Sequence, residues 1–136
     1  MFNPQELEAT PTGGQRSLQR VLVVEDEGLL SMMLEDLLRE AGASDIVVCR
    51  TAEEALGPAR ATPFDCAIVD VTLHGHATYE VADVLAGRGV PFLFCTGLNR
   101  HDLAERHRNR PLLVKPYGDS DFKTALALTM AGGRPD

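Results

Sequence analysis

Short apolar runs alternate with helical patterns along almost the whole chain, and this alternation constrains the fold more than any other feature of the sequence. Five runs are rich in β-branched or aromatic residues, as strands buried on both faces usually are. They are VLVV (21–24), DIVVC (45–49), DCAIVD (65–70), PFLFC (91–95) and PLLV (111–114). Strict alternation of strand and helix is typical of a doubly wound parallel sheet. We therefore predict an α/β fold of the flavodoxin-like type, with five parallel strands in the order 2-1-3-4-5.

Helical patterns fill most of the intervals between these runs. Helices are predicted to begin near Leu29, Thr51, Tyr79 and Ser120. Thr51 and Glu54 have the spacing of a capping box, which marks the start of the second helix. Residues 101–108 (HDLAERHR) contain few apolar side chains. A helix in that interval should therefore be short or poorly ordered, and only weakly anchored.

Composition and charge exclude several classes of protein. The chain has 136 residues, of which 44% are hydrophobic and 24% charged, and these values suit one globular domain. No apolar run approaches the ~20 residues that span a bilayer, and no signal peptide is recognisable, so we expect a cytoplasmic protein. The net charge of −7 argues against binding to nucleic acid or to an anionic membrane. We expect a flexible N-terminal tail at 1–18, one domain at 19–131 and a C-terminal tail at 132–136.

The three cysteines are not arranged for metal binding or for a redox motif. Cys49, Cys66 and Cys95 form no CxxC pair, and each lies within or beside an apolar run. We interpret them as reduced, small core residues.

Polar side chains follow four of the five predicted strands. Glu25 and Asp26 follow the first strand, Asp70 ends the third, and Thr96 and Lys115 follow the fourth and fifth. These positions meet at one edge of a parallel sheet, near the switch point between the first and third strands. Three carboxylates repel one another unless a cation joins them, and oxygen ligands alone favour Mg²⁺. A hydroxyl and an ammonium group suit phosphoryl oxygens, so the set predicts phosphoryl-transfer chemistry. One acid at a strand end is commonly only a helix-capping residue, and the joint pattern is the stronger signal.

The motifs VLVVEDE, IVD, FCTG and VKP occur in this order and resemble the receiver domain of bacterial two-component response regulators over 19–131. The resemblance implies that Asp70 accepts a phosphoryl group from a sensor histidine kinase, and that Thr96 and Lys115 contact its oxygens. It also implies a cis bond between Lys115 and Pro116. A receiver is a phosphoacceptor signalling domain, and it catalyses only its own phosphorylation and dephosphorylation.

The same resemblance implies Mg²⁺ as the cofactor. Its ligands would be Glu25, Asp26, Asp70 and the backbone carbonyl of Thr72. Glu25 stands where most receivers have aspartate, and its longer side chain can contact the ion through water.

A narrower resemblance concerns residues 94–97. Phe94-Cys95-Thr96-Gly97 is similar to the Phe-Ala-Thr-Gly motif of the FATGUY branch of single-domain receivers. That branch is associated with a short or poorly ordered fourth helix and with HWE-type kinases. The resemblance implies a stand-alone receiver, a monomer or weak dimer, that signals through contacts with a downstream protein or acts as a phosphate sink.

Two further features depart from the usual receiver. Leu112 stands at the position of the aromatic switch residue on the fifth strand, and a leucine cannot rotate a polar ring between buried and exposed positions. His74 and Gly75 replace a loop that usually contains proline. Because we find no third ligand for His74 and His76, we interpret both as exposed loop histidines.

Two other functions stay open at this point. A Mg²⁺-dependent phosphatase with an aspartyl nucleophile is one, although Asp70-Val71-Thr72 lacks the second acid that haloacid-dehalogenase-like enzymes carry. A degenerate receiver that only binds proteins is the other, and the presence of both Asp70 and Lys115 argues against it.

Overall fold

Five parallel strands form the central sheet of the computed structural model, which describes residues 17–73 and 76–132. The strands are β1 (Arg20–Val24), β2 (Asp45–Cys49), β3 (Cys66–Val69), β4 (Phe92–Thr96) and β5 (Leu112–Val114). Their order across the sheet is β2-β1-β3-β4-β5, and every neighbouring pair is parallel. The predicted flavodoxin-like sheet and its strand order are therefore confirmed.

Four α-helices and one short hairpin complete the described secondary structure, apart from two 3-10 turns. The helices are α1 (Gly28–Glu40), α2 (Ala52–Ala61), α3 (Tyr79–Gly87) and α4 (Asp119–Met130). The hairpin pairs Thr72–Leu73 with His76–Ala77 in antiparallel register. Most of the predicted tails, together with His74, Gly75 and the side chain of His76, lie outside the described residues. Within the described ranges, each helix falls short of the length and apolar character needed to cross a bilayer.

The sheet separates two apolar cores, because successive side chains of a strand point to opposite faces. On β1, Leu22 and Val24 pack into the core formed with α2 and α3. Val21 and Val23, from the same strand, pack into the core formed with α1 and α4. Burial on both faces explains why β1 is a continuous apolar run.

Local sequence signals account for several helix ends. Thr51 caps α2, since its hydroxyl oxygen accepts the amide N–H of Glu54 at 3.0 Å, as predicted. Gly42 follows α1 with φ of +111°, a conformation that glycine adopts without steric cost. Pro58, by contrast, does not end a helix, since it lies inside α2, which continues beyond it to Ala61.

The three cysteines are free and buried, as predicted. Burial raises the pKa of the Cys66 and Cys95 thiols to about 12. Both thiols therefore stay protonated at neutral pH and behave as core residues.

The connection between β4 and β5 contains two 3-10 turns, Arg100–Asp102 and Glu105–His107, and no α-helix. The interval predicted to hold a short or poorly ordered helix thus contains two separate 3-10 turns of three residues each. The connection is held more firmly than its few apolar residues suggested, because Leu103 is buried in the core beneath α3. The Arg100 guanidinium also donates to two carbonyl oxygens later in the connection, at 2.6 and 2.7 Å.

His107 is the second anchor of this connection. Its ring is buried and stacks on Tyr79 of α3, with ring centroids 5.7 Å apart and planes at 13°. Its Nε2 lies 2.8 Å from an oxygen of Asp83, which also pairs with Arg106 at 2.9 Å. Among the described residues, His107 Nδ1 is the one buried side-chain nitrogen or oxygen without a hydrogen-bond partner. Burial lowers the pKa of His107, although the hydrogen bond to Asp83 opposes this effect.

We expect the stability of the protein to fall as the pH drops below the ordinary histidine pKa of about 6.5. In that range the unfolded chain binds a proton on residue 107, whereas the folded chain resists protonation. His107→Phe keeps an aromatic ring against Tyr79 and removes the titration. Its free energy of unfolding in urea should therefore depend less on pH between about 5.5 and 7.5. His101→Gln, which removes an exposed histidine from the same connection, is the control and should keep the wild-type slope. Equal slopes in wild type and His107→Phe would contradict this expectation.

Candidate functional site

The three predicted acids lie together at the carboxyl edge of the sheet. Glu25 and Asp26 follow β1, and Asp70 follows β3, the neighbouring strand, whose Val69 is in register with Val24. One carboxylate oxygen from each acid lies within 4.8 Å of the other two. Glu25 and Asp70 are buried, and Asp26 is half-buried. The cluster therefore concentrates negative charge where little water screens it.

Lys115 reaches this cluster from the end of β5. Its Nζ lies 2.8 Å from Glu25 Oε1 and 3.0 Å from Asp70 Oδ2. Burial alone would lower the pKa of Lys115, but the hydrogen bonds to the two carboxylates outweigh it and raise the pKa above its ordinary value. Burial raises the pKa of Glu25, and the bond from Lys115 limits that rise. The ammonium group is therefore charged at neutral pH and stabilises two buried carboxylates.

Asp70 is held by its backbone and by its side chain. Its amide donates to the Val24 carbonyl at 3.0 Å, and its Oδ1 accepts the Thr72 amide N–H at 3.2 Å. Its carbonyl accepts the hydroxyl of Thr78 at 2.6 Å. Sequence reasoning missed Thr78, because a threonine directly before a helix is ordinarily a capping residue.

Thr96 is buried at the end of β4, one strand away from Asp70. Its hydroxyl oxygen accepts the Leu98 amide N–H at 3.3 Å, and its carbonyl accepts the Lys115 amide N–H at 2.8 Å. Within the described part of the chain, its hydroxyl makes no hydrogen bond to Asp70. The bond between Lys115 and Pro116 is cis, as the resemblance implied.

Arg50 is a second residue that sequence reasoning missed. It follows β2, and its Nη2 donates to the carbonyl of Asp26 at 3.0 Å. Nothing in its sequence context distinguishes it from other exposed arginines, so no local signal pointed to this contact.

The donor set suits a hard divalent cation. Three carboxylates supply only oxygen ligands, which Mg²⁺ prefers. Lys115 pairs with two of the three acids, and the cluster retains excess formal negative charge. The residues therefore fit Mg²⁺, with Glu25, Asp26 and Asp70 as the side chains able to hold it. Coordination by the Thr72 carbonyl stays a prediction.

The acidic cluster and Lys115 lie at the carboxyl edge of a doubly wound sheet, where ligands of such folds bind. Residues 21–127 match the response regulator receiver domain, and the chain belongs to that family. Receiver domains are phosphorylated by histidine kinases in two-component systems, and they bind Mg²⁺ at an acidic pocket of this kind.

Individual relatives agree with this assignment. The chain is 32% identical over 117 residues to the transcriptional regulatory protein PdtaR of Mycobacterium tuberculosis, a match that covers 83% of this chain and 57% of that protein. The solution structure of SdrG from Sphingomonas melonis Fr1 is 38% identical with a TM-score of 0.74, and the match covers 83% of this chain and 97% of SdrG. The receiver domain of PhyR from Erythrobacter litoralis is 27% identical with a TM-score of 0.71, covering 88% and 95% of the two chains.

Proposed function

We propose that this chain is a phosphoacceptor receiver in which Asp70 takes a phosphoryl group from a histidine kinase. The observation that carries the proposal is the position of Lys115 Nζ, which contacts Asp70 and Glu25 beside the third acid of the cluster. Phosphoryl transfer needs positioning and neutralisation of charge, and this arrangement offers both. The output is a contact with another protein, or the domain acts as a phosphate sink. The decisive experiment is the Asp70→Asn variant, described in the Discussion.

The transfer step uses residues that are already near one another. A carboxylate oxygen of Asp70 attacks the phosphorus atom as the phosphorus–nitrogen bond of the kinase phosphohistidine breaks. The electron pair of that bond stays on the imidazole nitrogen, which then takes up a proton. Lys115 balances negative charge on the phosphoryl oxygens. The Thr96 hydroxyl accepts the Leu98 amide N–H through a lone pair, and its own proton can be donated to a phosphoryl oxygen.

We assign Mg²⁺ to Glu25, Asp26, Asp70 and the backbone carbonyl of Thr72. When bound, the ion supplies positive charge to the phosphoryl oxygens. The support for this assignment is the all-oxygen donor set and its excess negative charge.

Mg²⁺ is expected to stabilise the wild-type protein, because it relieves repulsion among the three acids. At a concentration ten times the Kd, the gain in unfolding free energy should be about 1.4 kcal/mol. Asp26→Asn should abolish this gain and should raise the stability of the metal-free protein. Thermal unfolding with and without Mg²⁺ measures both effects. Asp36→Asn, on the exposed side of α1, is the control and should keep the wild-type response. A full Mg²⁺ effect in Asp26→Asn would place the ion elsewhere.

The kinase must approach Asp70 from the carboxyl edge of the sheet, where α1 begins. Leu29, Met32 and Met33 on this helix are exposed by 71%, 63% and 49%. Large apolar side chains so close to the acidic cluster suit a partner that covers them while phosphate is transferred.

We propose that the kinase is of the HWE type, on the similarity of residues 94–97 to the FATGUY motif. We further propose that the protein is a monomer or weak dimer, and that the exchange takes place in the cytoplasm.

A further inference from the structure

Thr78 connects the start of α3 to the backbone that follows β3. Its side chain is fully buried, and its hydroxyl donates to the Asp70 carbonyl, with Oγ1 and O 2.6 Å apart. The Val71 carbonyl lies 3.1 Å from the same hydroxyl and 2.8 Å from the Thr78 amide nitrogen. One residue therefore holds two successive carbonyl groups next to the acidic cluster.

The hydroxyl of Thr78 makes these contacts instead of capping its helix. Thr78 is the N-cap of α3, yet its side chain makes no capping hydrogen bond. Thr51, the N-cap of α2, shows the ordinary arrangement, in which the hydroxyl oxygen accepts an amide N–H of the first turn. The hydroxyl of Thr78 thus contacts the backbone that follows Asp70 and takes no part in the cap of α3.

The orientation of that peptide determines the surroundings of the Asp70 carboxylate. The amide of Thr72, which donates to Asp70 Oδ1, lies two residues along the same stretch of backbone. If the carbonyls of Asp70 and Val71 rotated, this amide would turn away from the carboxylate. Without that bond the Asp70 carboxylate could rotate. The oxygen bonded to Lys115 would then move as well, because both oxygens belong to one rigid carboxylate group.

We propose that Thr78 is a positioning residue for phosphoryl transfer, acting through the backbone of Asp70 and Val71. The hydroxyl keeps the Asp70 carboxylate aligned between the Thr72 amide and Lys115. This inference rests on the proposed function of Asp70 as the phosphoacceptor.

The experiment compares rates of phosphorylation by phosphoramidate at several concentrations in the presence of Mg²⁺, followed by intact mass. Thr78→Val removes the hydroxyl at nearly constant volume, and its maximal rate should fall roughly tenfold or more, since small displacements of a reacting group are costly. Thr78→Ser keeps the hydroxyl, and its maximal rate should stay within about twofold of wild type. Thr129→Val is the matched control, because Thr129 is also buried and its hydroxyl donates to a carbonyl, that of Ala125, at 2.7 Å. Its rate should be unchanged.

The possible results separate the two proposals. A wild-type maximal rate in Thr78→Val would overturn the positioning role and leave the function of Asp70 intact. Equal losses in Thr78→Val and Thr129→Val, or in Thr78→Val and Thr78→Ser, would also overturn it. No modification of the wild-type protein would overturn the proposed function and this inference together. If Thr78→Val does not fold, Thr78→Ala replaces it with the same expected loss of rate.

Discussion

Asp70→Asn is expected to take up no phosphate from a small phosphodonor in the presence of Mg²⁺, whereas the wild-type protein gains the mass of one phosphoryl group. An amide oxygen is a far weaker nucleophile than a carboxylate, and the variant also removes one negative charge next to Lys115. Intact mass measures the incorporation, and peptide mapping locates the modified residue in the wild type.

Asp36→Asn removes an exposed aspartate of α1 and should be phosphorylated as the wild type is. A full mass gain in Asp70→Asn, mapped to another residue, would contradict the assignment. The same assay addresses the phosphatase alternative. Continuous turnover of a small phosphate ester, instead of a single incorporation, would favour that alternative.

Lys115→Met is expected to lower the free energy of unfolding by about 3 kcal/mol at pH 7, because it leaves two buried carboxylates without their cation. The methionine side chain is similar in length, so most of the loss is electrostatic. Urea unfolding measures the effect. Lys123→Met, which replaces the other lysine of the chain at an exposed position of α4, should change little.

The pH dependence of this loss has a definite sign. The pKa of Lys115 is raised in the folded protein, so its stabilising contribution is complete below the ordinary lysine pKa and disappears only in strong alkali. The deficit of Lys115→Met should shrink as the pH falls, because burial raises the pKa of Glu25, and this carboxylate loses its charge on protonation. Adding Glu25→Gln to Lys115→Met should recover part of the lost stability at pH 7. A deficit that is the same at every pH would show that lost packing, and not charge, is responsible.

Much of the architecture was predictable, because its signals are local. The five strands begin and end within about one residue of the apolar runs that predicted them. Thr51 and Glu54 form the expected cap, since the two residues lie within one turn of helix. The meeting of Glu25, Asp26 and Asp70 was also predictable, because parallel strands place their carboxyl ends at one edge of the sheet.

The connection between β4 and β5 shows where such reasoning fails. A count of apolar residues predicted weak anchoring, but His107 is buried against Tyr79 and bonded to Asp83, residues 28 and 24 positions earlier in the chain. Their positions in the sequence do not reveal that α3 presents an aromatic ring and a carboxylate at that place.

The sequence by itself determined the sheet, its order and the composition of the acidic edge, because apolar periodicity and the geometry of parallel strands decide these features. Only the tertiary structure decided which partners the polar groups take. Lys115 lies between Glu25 and Asp70, 90 and 45 residues away. The hydroxyl of Thr78 faces the Asp70 carbonyl instead of its own helix. A side chain with several available hydrogen-bond partners takes the one that packing brings within about 3 Å, and no local pattern contains that distance.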